Sequence, residues 1–168
     1  MIRYIMKKLI CVLVFVVLIA CLFAGCAKND NNAVILNDNA SEFIREDFYS
    51  ENHTRGAIYD DGASADLSYP NSRYFIVRNQ EDYDRIFTSD ADFKVNFTSE
   101  MLVVYTYTSI YVREIEIKES KTESDRLNMV LATKKPSALV ADACQPFQRY
   151  VIIKVEAQDI STADIRID

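Results

Sequence analysis

Histidine occurs once in 168 residues, glycine and proline three times each, and tryptophan not at all. Each shortage excludes something. One histidine, His53, cannot build a multi-histidine zinc centre and leaves a single candidate base for a triad. Three glycines cannot furnish a glycine-rich phosphate cradle, and no GxSxG or CxxC motif is present. Four cysteines remain to be placed, and three of them, Cys11, Cys21 and Cys26, fall in or directly after one N-terminal apolar run. Only Cys144 lies in the body of the chain, so no internal disulfide can form there.

The apolar run explains the cysteines. Arg3, Lys7 and Lys8 precede LICVLVFVVLIACLFAG, Leu9 to Gly25, which contains no charge. A basic start, an apolar stretch slightly short of the roughly 20 residues of a membrane span, and small residues before a cut site mark an export signal. Ala24 and Gly25 before Cys26 resemble a bacterial lipobox, although Phe23 stands where such motifs usually carry Leu, Val or Ile. That resemblance implies cleavage before Cys26 and lipid on its sulfur. An uncleaved membrane anchor is the alternative, and either arrangement places the remainder outside the cytoplasmic membrane. Residues 1–25 are thus read as a lipoprotein signal peptide and 26–41 as a polar tether rich in Asn and Asp. Residues 42–168 are read as one domain. Val34-Ile35-Leu36, inside the tether, could add a short edge strand.

Loss of the three basic signal residues makes the net charge of −6 more negative still. A strongly acidic remainder argues against nucleic acid and against an anionic lipid surface as binding partners.

Beyond residue 42 the dominant signal is alternation with a period of two, the mark of strands with one buried face. RYVIIKVEA puts Val151, Ile153 and Val155 on one face, and RLNMVLATKK does the same with Leu127, Met129 and Leu131. VREIEIKES turns Ile115 and Ile117 inward. MLVVYTYT, Met101 to Thr108, is β-branched and aromatic almost throughout and reads as a central strand. RYFIVRN and ADIRID supply two more. EFIREDFYS, Glu42 to Ser50, reads as a strand, with a short helix as the alternative. NQEDYDRIFTSD differs: a polar cap, acids in the first turn, and Tyr83, Ile86 and Phe87 at helical spacing give one short amphipathic helix near 80–89. KKPSALVADACQPF is read as a crossover or loop. The expected fold is mostly β within the α+β class. It is an antiparallel sheet, or a small sandwich or barrel, of about six or seven strands.

The order of these pieces carries a second resemblance. The strand YFIVRN runs into the helix EDYDRIF, then the acidic loop DADFKVNFTSE, the strand MLVVYTYT, a hairpin, and ACQPFQRYVIIKVEA. This is similar to the C-terminal domain of the PrcB family, protease-complex lipoproteins outside bacterial membranes. It rests on Asp92-Phe93 to Phe97 before the central strand and on the Pro146-Phe147 step. Where that family has a glycine-rich turn after the central strand, this sequence reads TSIYVRE. The resemblance spans about half the chain and implies a non-catalytic partner that stabilises or matures a surface protease or similar complex.

Other residues offer chemistry only weakly. His53 lies in the polar stretch SENHTRG and reads as a solvated loop histidine. Cys144 could act as a nucleophile only with a base or a positive neighbourhood, and Asp142 beside it argues for a structural thiol. Asp60, Asp61 and Asp66 lack the regular spacing of a calcium loop. No metal or cofactor is expected. Ten tyrosines are more informative. Tyr105, Tyr107 and Tyr111 line YTYTSIYV, and with Phe147 they are candidate contacts for a protein partner, since tyrosine is favoured at binding hot spots. The competing reading packs them into the core. The functional expectation is a lipid-anchored, non-enzymatic interaction module; a small-ligand or ion binder of the envelope is the alternative. The native chain should incorporate labelled palmitate and the Cys26→Ser chain should not; equal labelling of both would exclude lipid at Cys26.

Overall fold

The computed structural model describes residues 30–54, 69–110, 112–134 and 146–168. Seven strands and two α-helices follow in order: β1 (Val34–Asn37), α1 (Glu46–Glu51), β2 (Ser72–Val77), α2 (Gln80–Ile86), β3 (Glu100–Ser109), β4 (Ile115–Glu123), β5 (Arg126–Thr133), β6 (Phe147–Glu156) and β7 (Thr162–Ile167). A 3₁₀ turn, Ala40–Phe43, precedes α1. The strands form two sheets. One has four strands in the order β1-β6-β3-β2, with every neighbouring pair antiparallel. The other has the order β4-β5-β7, antiparallel between β4 and β5 and parallel between β5 and β7.

The β3–β6 pair is the spine. Ten residues of each strand pair without a break, from Glu100 opposite Glu156 to Ser109 opposite Phe147. Their odd-numbered residues face the second sheet. Met101, Val103, Tyr105, Val151, Ile153 and Val155 pack there against Ile115, Leu127, Met129, Leu131 and Ile165. Their even-numbered residues face the helices. Leu102, Val104, Tyr150 and Ile152 pack under Ala40, Ile44, Phe48, Ile86 and Phe87. The result is three layers, helices over a four-stranded sheet over a three-stranded one, with two apolar seams.

This layering explains where simple alternation succeeds and where it falls short. Val151, Ile153 and Val155 are buried as expected, at 0–1% exposure, and so are Leu127, Met129 and Leu131. The opposite face of β6 is closed as well: Tyr150 and Ile152 are fully buried, because the helical layer covers them. β3 is central, and its sequence is continuously apolar or aromatic for the reason that applies to any strand covered on both sides.

Three expectations are corrected. Glu42–Ser50 is not a strand. It forms the end of the 3₁₀ turn, a single β-bridge from Ile44 to Phe87, and most of α1. Ile44, in extended backbone bridged to Phe87, and Phe48, inside α1, both reach the helix-side seam. Consequently the described residues hold two α-helices, not one. Finally, the polar stretch 26–41 is not a tether beyond residue 29. Asp30 N donates to Ser120 O at 2.9 Å, Asn31 is 1% exposed, and Val34–Asn37 pairs with β6 as an edge strand. Asn31 is held by Ser120 Oγ at 2.7 Å, and its carbonyl accepts from Glu156 N at 3.2 Å. Side-chain amides that satisfy backbone and hydroxyl groups do here what apolar residues do elsewhere, so composition alone misreads the segment.

The helix at 80–86 follows the sequence closely. Asn79 is its N-cap, and the Asn79 side chain accepts from Asp82 N at 2.8 Å, with Glu81 and Asp82 in the first turn. Ile153 pairs with both Val103 and Ile35 and has no exposure. Ile153→Ala should therefore lower stability by about 2–5 kcal/mol in denaturant unfolding, with little change in m-value; a loss below about half a kcal/mol would contradict this packing.

Candidate functional site

β3 ends, β6 begins and β2 begins at the same end of the four-stranded sheet, and polar and aromatic side chains gather there on both faces. On the helix side Gln148 is the organiser. It is 6% exposed, beside the apolar run Tyr150 to Ile153 of β6. Its Nε2, with two protons to give, lies within hydrogen-bond distance of three acceptors: Asn52 O at 2.9 Å, Thr106 Oγ1 at 3.0 Å and Tyr150 Oη at 2.7 Å. Its Oε1 accepts from Thr54 N at 3.3 Å, and its backbone carbonyl accepts from Ser41 Oγ at 3.0 Å. Thr108 Oγ1 lies 2.7 Å from Thr54 Oγ1 and donates to Thr54 O at 2.9 Å. Thus one amide and two threonines fasten the chain after α1 to the sheet. A buried amide is tolerable only when it is satisfied in this way.

A row of rings covers the fastening. Tyr150, Tyr49, His53 and Tyr69 follow one another with centroid separations of 6.0, 5.1 and 5.8 Å. Burial pushes the Tyr150 hydroxyl up to about 12. His53 meets Tyr49 and Tyr69 edge to face, so the loop histidine of the sequence is a half-buried ring in an aromatic row.

On the face toward the second sheet, Tyr105 and Tyr107 stack at 5.6 Å. Tyr105 is 5% exposed and belongs to the apolar seam, so it is corrected from candidate contact to core. Tyr107 is half-buried against the same seam. Burial raises the hydroxyl pKa of both, and the Arg149 guanidinium beside Tyr107 works in the opposite direction. Arg149, opposite Tyr107 on β6, is only 2% exposed. It donates from Nη1 to Arg113 O at 2.7 Å and from Nη2 to Asp38 O at 2.6 Å, and it pairs with Asp38 Oδ2 at 3.6 Å. Asp38 Oδ2 also accepts from Ile115 N at 2.9 Å. One buried guanidinium therefore joins β6, the turn after β1 and the entry to β4. Phe147 opens β6 at this end and is half-buried. Tyr111, Cys144 and the acidic run Asp60, Asp61 and Asp66 lie outside the described residues.

The sequence reading missed Gln148, Thr54, Thr108 and the Asp38–Arg149 pair. A signal was present for two of them: adjacent polar residues, Gln148-Arg149, precede the apolar run Tyr150 to Ile153 in the same strand. Their partners, Asn52, Thr54 and Asp38, are remote in sequence and carry no signal.

Among the described residues no group of three or more His, Cys, Asp or Glu side chains is placed to hold a metal. The outer face of the three-stranded sheet carries an open groove of about 310 Å³, lined by residues including Lys121, Asn128, Val130, Asp164 and Arg166. Several of its charges pair locally, Lys121 with Glu123 at 2.5 Å and Asp164 with Arg126 at 3.3 Å. It lies on the other sheet, away from the tyrosines. No described helix is long and apolar enough to cross a membrane.

The architecture thus defines a β-rich α+β domain of two packed sheets. No family model matches the chain, and neither a curated protein nor a solved structure matches it.

Two outcomes test this end of the sheet. Gln148→Leu leaves Thr54 N without its acceptor and should cost about 1–3 kcal/mol, with faster amide exchange at Thr54. For Tyr150, whose folded pKa exceeds the unfolded value near 10, the unfolded chain loses its proton first as pH rises. Its contribution to stability is complete below pH about 10 and falls away toward pH about 12. Tyr150→Phe should flatten part of that alkaline decline in thermal melts; an unchanged slope would contradict the assignment.

Proposed function

We propose that this chain is an extracytoplasmic lipoprotein, anchored to the bacterial cell membrane through Cys26, whose domain serves as a non-catalytic interaction or accessory module. Its partner is a protein of the cell surface, such as a protease or other envelope complex of the kind implied by the PrcB-like order of elements. The observation that carries the reading is the distribution of exposed apolar side chains. Four large hydrophobic residues among those described are exposed: Val34, Tyr69, Tyr74 and Val112. Two of them, Tyr69 and Val112, lie just before β2 and just after β3, next to the end of the sheet fastened by Gln148 and Arg149, and Tyr74 stands further along β2, opposite Tyr105. Tyr69 is 40% exposed and Tyr74, on the edge strand β2, 36%.

Rigid aromatic side chains on a pre-ordered backbone are favourable contact groups, because little conformational entropy is lost when they are covered. The buried amide and guanidinium networks supply that order. His53 serves this reading as a packing ring between Tyr49 and Tyr69 rather than as an acid or base. The contact surface moves from the Tyr105–Tyr107 stack, which faces the seam, to Tyr69 and Val112, with Phe147 retained at the margin.

A photo-crosslinking residue at position 69 or 112, in cells expressing the full chain, should give a discrete protein adduct. The same residue at Val34, which is 50% exposed but distant from this end, should not. Tyr69→Ala should abolish the position-112 adduct without moving the melting temperature. Adducts of equal yield from all three positions, or from none, would refute the proposed contact surface.

A further inference from the structure

We propose that β7 is the seat of a two-fold interface, at which a second copy of this chain adds its own β7 antiparallel and joins two three-stranded sheets into one. The inference is independent of the lipid at Cys26 and of the contact surface at Tyr69.

β7 closes its sheet, with β5 on one side and no strand on the other among the described residues. In a parallel pair, alternate residues turn both backbone groups to the neighbouring strand, and the residues between them turn both away. Thr162 N donates to Asp125 O, just before β5, at 3.3 Å, and Asp168 N donates to Leu131 O at 2.9 Å. The even-numbered residues therefore bond β5, and Ala163, Ile165 and Ile167 direct their N–H and C=O outward. None of these outward groups has a partner among the described residues.

An added antiparallel strand exchanges bonds only between outward-directed residues. The registers that keep most of two β7 strands paired are therefore centred on Asp164, Ile165 or Arg166. Centring on Asp164 sets that carboxylate opposite itself, and centring on Arg166 does the same to the guanidinium. Centring on Ile165 sets Asp164 opposite Arg166 of the second copy, and Arg166 opposite its Asp164. Opposite charges stabilise a cross-strand pair and like charges destabilise it. The Ile165 register also meets every outward group: Ile165 exchanges bonds with its own equivalent, and Ala163 with Ile167 on either side of it.

The side chains are placed for this. Asp164 and Arg166 are exposed on the outer face, where they line the groove described above. Arg166 has no ion-pair partner among the described residues, and Asp164 holds only the exposed Arg126 at 3.3 Å. On the opposite face Ala163, Ile165 and Ile167 pack on the apolar seam, which a second copy continues. Charges of one sign on an edge strand deter pairing. An opposite-sign doublet two residues apart deters the shifted registers and admits the two-fold one. An unrelated strand has no reason to carry the matching doublet, so the occupant is a second copy, in an isologous contact.

The full chain, in a density-matched detergent, should show a concentration-dependent monomer–dimer equilibrium by sedimentation. Asp164→Arg and Arg166→Asp each set like charges opposite one another, and each should weaken self-association at least tenfold. An equimolar mixture of the two restores opposite charges and should associate within a few-fold of the native chain. Ala163→Pro removes an N–H that no bond inside the chain uses, a change that edge strands tolerate. It should also weaken association at least tenfold, with an unchanged melting temperature. A native chain that stays monomeric at every concentration, reversed chains that associate as tightly as the native one, or a mixture of folded reversed chains that stays monomeric would each overturn the interface. Should the reversed chains melt early, the proline chain decides, and undiminished association by it would overturn the interface as well.

Discussion

The ten-residue antiparallel pairing of β3 with β6, covered on both faces, is the constraint on which everything else depends. A ladder in this position has no contact with water along most of its length, so every backbone group must be paired within the sheet and every side chain must find a packing partner. The second sheet answers to its odd-numbered residues and the helical layer to its even-numbered ones. Neither layer has a reason to form alone. A three-stranded sheet with one apolar face and two short helices would leave their buried sides in water, and short helices are marginal without tertiary packing. Each becomes stable by covering one side of the same pair of strands.

Polar groups on this ladder are therefore costly unless fully satisfied, and the structure concentrates them at one end. Gln148 and Arg149 are consecutive on β6 and point to opposite faces. Gln148 fastens the chain after α1, while Arg149 fastens the turn after β1 and the entry to β4. A buried guanidinium stabilises the fold only when its donors are met, and the loss of one partner costs more than the pair contributes. Here two backbone carbonyls and a carboxylate meet it. The consequence is an end of the sheet whose backbone is fixed, with Tyr69 partly exposed next to it. That fixed geometry follows from satisfying two adjacent polar residues in a dry strand.

The strands were legible because alternation is a local property. Leu127, Met129 and Leu131, or Val151, Ile153 and Val155, announce a buried face without reference to any other part of the chain. So does the capped helix at 80–86, whose Asn79 and first-turn acids act within four residues. Less was legible where two local rules compete. Ile44 and Phe48 fit helical spacing, Phe43 through Phe48 fits an irregular strand, and the apolar cover over Leu102 and Tyr150 decided between them. Val34–Asn37 was obscured by its polar surroundings, since the amides that hold Asn31 in place resemble those of a solvated linker. Of the candidate contacts, Tyr105 and Tyr107 were correctly placed on one face of one strand, but the direction of that face could not be read. It turns toward the second sheet, and Tyr105 is core.

By itself, the sequence determined six of the seven described strands, the capped helix and the shortage of histidine, because each depends on residues that are neighbours or on composition. Tertiary structure decided which faces were closed twice, that the fold begins by Asp30, and that Gln148 reaches Thr54 and Arg149 reaches Asp38. Those outcomes depend on pairs separated by 94 and 111 positions. No local pattern encodes such pairs, because the free energy that joins them exists only once the ladder between the layers has excluded water.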